Sequence, residues 1–270
     1  MAISWIEAIF LGVLQGVLEW LPISSEGAVS LVLTSILHAD PLLAVQLSLF
    51  LHVGTALAAT GYYRESIASL FVDDRGEMLD LETMWQRQDL RFLLVGTVAS
   101  GVVGIAVYAV LESILVGLPT RAFLLGIGLL LLVTGALQYL GEGVSGVGDR
   151  RPRMLDAVMV GIGQGLALLP GVSRSGTTIS ILLLREYETE QSLELSFLLA
   201  IPASLGAGVL VVLDVGGIPS VTPGPAVAAL LGALVVGYGT IGALVRVVRR
   251  LPFWSVCIVF GLVVVATGLI

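Results

Sequence analysis

Glu19 and Gln15 stand four residues apart in an apolar stretch, so a helix through them presents both on one face. Ser24 and Ser25 follow shortly after, and Arg174 lies far along the chain within Ser173-Arg174-Ser175-Gly176. A carboxylate in such surroundings can ligate a divalent cation, act as general base or pair with Arg174. A serine beside a base is a nucleophile design. Arg174 offers a planar, permanently charged fork suited to phosphate oxygens. Ser24 and Ser173 are natural helix N-caps. Two facing helix N-termini with Arg174 between them would hold a highly charged anion such as a diphosphate. Gly16, Gly27, Gly165 and Gly176 would let backbone approach that ligand. Glu26, in the first helical turn, reads as a carboxylate complementing the dipole. His52 lies mid-run in Phe50-Leu51-His52-Val53-Gly54-Thr55, where a histidine either bonds to a neighbour or serves function.

The elements that must position these residues are membrane helices. The chain has 270 residues, 57% hydrophobic and 12% charged. A soluble domain carries about 25% charged residues. Net charge is −7 and all 13 basic residues are Arg, so no basic face exists for nucleic acid. The lone Cys257 excludes a disulfide framework and a CxxC metal site. No basic n-region or small-residue cleavage site marks the N-terminus as a removable signal peptide.

Spanning a bilayer takes about 20 apolar residues. Six runs qualify: Leu42–Tyr63, Phe92–Leu111, Ala122–Leu140, Leu195–Leu213, Ala226–Val245 and Phe253–Ile270. The Arg64–Arg91 connection reads as a solvated loop with a short amphipathic piece. Residues 2–37 and 154–184 are apolar but broken at Pro22 and Pro170, each beside Ser and Gly, which ends one helix and caps the next. They read as re-entrant hairpins. If each crosses an even number of times, 11 of the 13 arginines fall on one side, with Arg121 opposite and Arg174 inside the second break. Single crossings would split them seven against five. The even model satisfies the positive-inside tendency and puts both termini outside.

The two breaks echo each other. Gly12-Val-Leu-Gln15-Gly16 precedes Leu21-Pro22 and Ser24-Ser25-Glu26-Gly27. Gly161-Ile-Gly-Gln164-Gly165 precedes Leu169-Pro170 and Ser173-Arg174-Ser175-Gly176. A weaker echo, Phe92-Leu93-Leu94 with Phe197-Leu198-Leu199, suggests that Leu42–Arg91 is an insertion. The expected fold is an all-α polytopic membrane protein: six transmembrane helices plus two re-entrant hairpins in an inverted-topology repeat. It forms one domain, with halves of about 1–140 and 154–270, and such repeats bring their breaks together near the bilayer midplane.

At these residues the sequence resembles the undecaprenyl-diphosphate phosphatase family of the bacitracin-resistance type, along nearly the whole chain. Gln15-Gly-Val-Leu-Glu19-Trp-Leu-Pro-Ile-Ser24-Ser25-Glu-Gly27 resembles its (E/Q)xxxE motif with Pro and Ser-Ser-x-Gly. Pro170-Gly-Val-Ser173-Arg174-Ser175-Gly176-Thr177-Thr178 resembles its PGxSRSG motif, and His52-Val-Gly54-Thr55 matches as well. The resemblance implies a plasma-membrane hydrolase that converts polyprenyl diphosphate to monophosphate plus phosphate for carrier-lipid recycling. Membrane lipids would surround it, and a divalent cation, Mg2+ or Ca2+, would assist at Glu19. Glu19, Ser25 and Arg174 would be catalytic. Gln15, Ser24 and Gly27 from the first motif would bind substrate, as would Gln164, Ser173, Ser175, Gly176 and Thr177 from the second. One departure stands out: many bacterial members carry His immediately after Ser-Ser-x-Gly, where this chain has Ala28. Either Glu19 suffices, or His52 reaches in as proton shuttle, or activity is reduced. The carrier is of the undecaprenyl or the archaeal dolichol type, and the nucleophile is Ser25 or water. The rival reading is a polyprenyl-phosphate flippase or small-anion transporter on the same architecture.

Overall fold

The computed structural model describes residues 3–73, 76–144, 151–219, 222–248 and 250–270. Arg75, Arg150 and Arg249, counted in the arginine parity, lie outside the described residues. Twelve α-helices are formed among the described residues, and the only strand pairing there is an isolated bridge between Val72 and Met78.

Both broken regions fold as helical hairpins. α1 (Trp5–Leu18) and α2 (Ser25–Ser35) form the first, α8 (Met154–Leu166) and α9 (Arg174–Leu184) the second. Ser4 and Glu7 make a capping box at the start of α1. The Ser24 and Ser173 hydroxyls cap α2 and α9 by accepting from the Gly27 and Gly176 N–H groups, as expected of them. Among the described residues five helices are long and apolar enough to cross a membrane: α3 (Pro41–Tyr62), α6 (Gln88–Leu115), α7 (Thr120–Gly141), α10 (Thr189–Asp214) and α11 (Pro223–Val248). The sixth expected span is α12 (Phe253–Leu269), whose 17 residues reach about 25 Å at 1.5 Å each, the short end of the spanning range. The Arg64–Arg91 connection holds two short helices, α4 (Arg64–Ser69) and α5 (Leu81–Gln86). α6 runs past both ends of its apolar run, because Gln88, Asp89 and Arg91 continue the helix at one end and Glu112 at the other. Helix formation extends beyond the hydrophobic window that betrays it.

The packing is reciprocal. α1 lies along α11 and α8 along α6, while α3 packs on α10 and α7 on α12. Exchanging α1, α2, α3, α6 and α7 for α8 to α12 in order swaps the first two pairs with each other and returns each of the last two to itself. α3 then corresponds to α10 and α6 to α11. The Phe92/Phe197 echo therefore joins helices that do not correspond, and no inserted span is required.

Close approach explains the Gly-x-x-x-Gly pairs. A Cβ on Gly12 would stand 2.2 Å from the Ala229 carbonyl oxygen of α11, and one on Gly161 2.5 Å from that of Gly96 on α6. Gly16 and Gly165 face the same two helices, through Gly237 and Val103. Neither therefore leaves room for a ligand, contrary to the sequence expectation; small residues here let membrane helices touch. Replacing Gly161 by Val should force α8 off α6 and destabilise the protein by about 1–3 kcal/mol or more. A fall in thermal unfolding temperature in detergent checks this.

Candidate active site

The two breaks meet. The Ser24 hydroxyl, besides capping α2, accepts from the Gly171 N–H across the interface at 3.0 Å, and the Ser175 hydroxyl donates to the Leu21 carbonyl at 3.2 Å. Gly171 takes φ +104, a conformation that glycine supplies, and its Cβ side is filled by the Ile127 carbonyl of α7. The first residues of α2 and α9, Ser25 and Arg174, thus face a narrow polar pocket. It is lined by Glu19, residues Ile23 to Glu26, His52 and residues Val172 to Ser175.

Glu19 is the hub. It ends α1 and is 5% exposed. One carboxylate oxygen, Oε2, accepts from Gln15 Nε2 at 2.8 Å and from Ser25 Oγ at 2.7 Å. His52 Nε2 stands 3.1 Å from the same oxygen, and the Arg174 Nη2 pairs closely with Oε1. Trp20, next in sequence, fixes the carboxylate's backbone: its indole N–H donates to the Gly237 carbonyl, and its ring meets Phe197 edge-on. The Arg174 Nε and Nη1 are buried without a partner, so this guanidinium retains unused donors for an anion.

His52 sits halfway along α3. Its Nδ1 lies 2.8 Å from the Ser48 carbonyl, an acceptor, so that nitrogen carries a proton. Its Nε2 faces Glu19 and also Glu26, whose Oε1 is 3.6 Å away. His52 thus bonds a neighbour, and its ring also reaches the centre. Glu26, whose place in the first turn favours a dipole-complementing role, is also brought into the cluster. The signal was its place beside Ser25 in the break, which the helix-start explanation absorbed.

Other expected residues take different places. Gln15 supports Glu19 rather than lining the pocket. Gln164, its counterpart, donates to Ser100 Oγ and the Leu199 carbonyl at 3.2 and 3.1 Å, and lines a separate apolar cavity of about 360 Å³. Thr177 Oγ1 is buried with no partner and does not line the polar pocket. Gly27 and Gly176 give their N–H groups to their own caps. The space beside them is filled by Ile127 and Gln138, so neither opens the backbone to a ligand as expected.

The apolar cavity, walled by α6, α8 and the Pro202 to Leu213 part of α10, ends at Glu26, His52 and Arg174. These three residues line both cavities, so the polar pocket and the apolar cavity share a boundary.

Two α7 side chains, missed in the sequence, clasp the breaks. Gln138 Nε2 donates to the Pro22 carbonyl at 2.6 Å, joined there by the Cys257 thiol at 3.2 Å. Thr134 Oγ1 donates to the Gly171 carbonyl at 3.3 Å and faces the Ser173 N–H at 3.4 Å. A lone amide inside an apolar span was the available signal. Gln138→Leu should cost about 1–2 kcal/mol and slow catalysis by loosening the first break, read as thermal stability and turnover of the purified variant.

A divalent cation held by Glu19, as the resemblance implies, does not fit this donor set. Oε1 is opposed by a guanidinium and Oε2 is taken by three donors. Among the described residues no group of three or more His, Cys, Asp and Glu side chains could hold a metal ion.

Comparison with known proteins agrees with this architecture. The family model described as bacitracin resistance protein BacA matches residues 8–266. A protein of Haloarcula marismortui named undecaprenyl-diphosphatase is 50% identical over 264 residues, covering 97% of each chain. One of the same name from Methanopyrus kandleri is 40% identical over 258 residues, covering 94% of this chain and 92% of the relative. A third, from Methanococcoides burtonii, is 35% identical over 277 residues, with 98% of each chain covered. With a match across nearly its whole length, the chain belongs to the bacitracin resistance protein BacA family.

Proposed function

We propose that this protein is a membrane-embedded polyprenyl diphosphate phosphatase, which hydrolyses an undecaprenyl-type lipid diphosphate to the monophosphate and inorganic phosphate. One observation carries the reading: Ser25, Glu19 and Arg174, which keeps unpartnered donors, converge where two helix N-termini meet, beside an apolar cavity fit for a prenyl chain. The terminal phosphate lies on the free N–H groups of α2 and α9 and on Arg174, with Ser24, Ser173 and Ser175 around it. The chain extends into the apolar cavity. Ser25 Oγ passes its proton to Glu19 and attacks the terminal phosphorus in line; the bridging oxygen leaves with the prenyl monophosphate. Water then hydrolyses the phosphoserine while Glu19 returns the proton to Ser25. Both termini are extracytoplasmic, a reading supported by the arginine parity; the opening of the site to the outer face rests on the family resemblance.

Phosphate release from a C55-type polyprenyl diphosphate by purified protein in detergent tests the proposal, because no transport is possible there. Multiple turnovers support the phosphatase; tight binding without release supports the transporter. Ser25→Ala separates the nucleophiles. If Ser25 attacks, the variant loses about 100-fold or more in turnover. Turnover close to wild type assigns the attack to water.

A further inference from the structure

Glu26 differs from every other charged group at the centre in being almost unengaged. Glu19 receives donors from Gln15, Ser25, His52 and Arg174, whereas the Glu26 carboxylate accepts no hydrogen bond among the described residues. Its one polar approach is His52 Nε2 at 3.6 Å, and its side chain is 12% exposed. It is also one of three residues that line both the polar pocket and the apolar cavity. A lipid diphosphate with its chain in one and its terminal phosphate in the other places its bridging oxygen at this boundary. Against phosphate oxygens a carboxyl group has one favourable form, neutral and donating its O–H. The groups facing it are Glu19 at the end of α1, His52 of α3 and Arg174 of α9. The remaining residues that α6, α8 and α10 give to the cavity carry no charge.

We propose that Glu26 is a further catalytic residue, the general acid that protonates the bridging oxygen as the prenyl monophosphate departs. The inference rests on the phosphatase reading above. As the Ser25 Oγ–P bond forms and the P–O bond to the bridging oxygen breaks, the Glu26 proton passes to that oxygen. In the second half a water O–P bond forms and the Ser25 Oγ–P bond breaks. One water proton stays on the released phosphate, the other returns to Glu26 directly or through His52, and Glu19 reprotonates Ser25. Each group ends as it began. Glu26 thereby fills, from two positions earlier in the chain, the proton-transfer role left open by Ala28.

The experiment compares two substrates: a C55-type polyprenyl diphosphate, and a dodecyl-substituted 4-nitrophenyl phosphate whose phenolate leaves without a proton. On the diphosphate, Glu26→Gln should lower kcat about 100-fold with little change in KM, and should abolish the alkaline fall of kcat expected of wild type. On the aryl ester the same variant should turn over at close to the wild-type rate. Glu26→Asp should keep the alkaline fall. Wild type alone supplies an independent reading, since its alkaline fall should be present on the diphosphate and absent on the aryl ester. Wild-type kcat in Glu26→Gln, an equal loss on both substrates, or an identical alkaline fall on both overturns the proposal. Failure of wild type to release phosphate at all overturns instead the phosphatase reading beneath it.

Discussion

Arg174→Ala should lower kcat/KM for polyprenyl diphosphate hydrolysis by about 100- to 1000-fold, the usual cost of removing a donor aimed at developing charge. The side chain has two jobs here. It pairs with Glu19, and its Nε and Nη1 are buried without a partner, leaving donors that phosphate oxygens would take. Losing it leaves Glu19 with only Gln15, Ser25 and His52 as partners, and breaking a buried pair costs about 3–5 kcal/mol of stability. Two effects are thus confounded in alanine. Arg174→Lys separates them: the positive charge stays near Glu19 and protects the fold, while the fork that grips two oxygens is lost. Lysine should therefore restore thermal stability more fully than activity. Initial-rate kinetics and unfolding in the same detergent check both parts. Full activity in Arg174→Lys would reduce the guanidinium to a counter-ion.

Glu19→Gln should be comparably damaging, by about 100- to 10,000-fold in kcat, the range attributed to a positioned base. The substitution preserves shape and keeps an acceptor for Ser25 and Gln15, so the hairpin's packing should survive. What it removes is the carboxylate that takes the Ser25 proton across 2.7 Å and the charge that holds Arg174 and His52 together. Substrate affinity should fall less than turnover, because Arg174 is then released wholly to the phosphate. An equal rise in KM with kcat unchanged would mean that Glu19 only orders the site.

Much of this arrangement was legible in the sequence because its signals are local. Pro22 and Pro170 stop helices, Ser24 and Ser173 cap the next ones, and the spacing from Gln15 or Gln164 to its Ser is the same in both breaks. Polar residues stranded in apolar sequence announced Glu19, Arg174 and His52 for a physical reason: membrane depth tolerates ionisable groups only where they are needed. The parts that were not legible depend on long-range partners. Glycine in Gly12-x-x-x-Gly16 serves ligand approach and helix contact equally well on paper; only the presence of Ala229 and Gly237 of α11 decides for contact. Glu26 has a sufficient local explanation at its helix start, and its distinguishing neighbour, His52, belongs to another helix. Gln138 and Thr134 read as ordinary span residues until α7 is seen against both breaks.

The most direct test of the central claim, that hydrolysis occurs at the Glu19–Ser25–Arg174 junction, is release of labelled terminal phosphate from a C55-type polyprenyl diphosphate. Wild type and Glu19→Gln are purified and assayed side by side in one detergent. Wild type should release phosphate over many turnovers, while the folded variant binds the lipid and releases phosphate at least about 100-fold more slowly. Equal rates from the two proteins, or no release by wild type, would contradict the account.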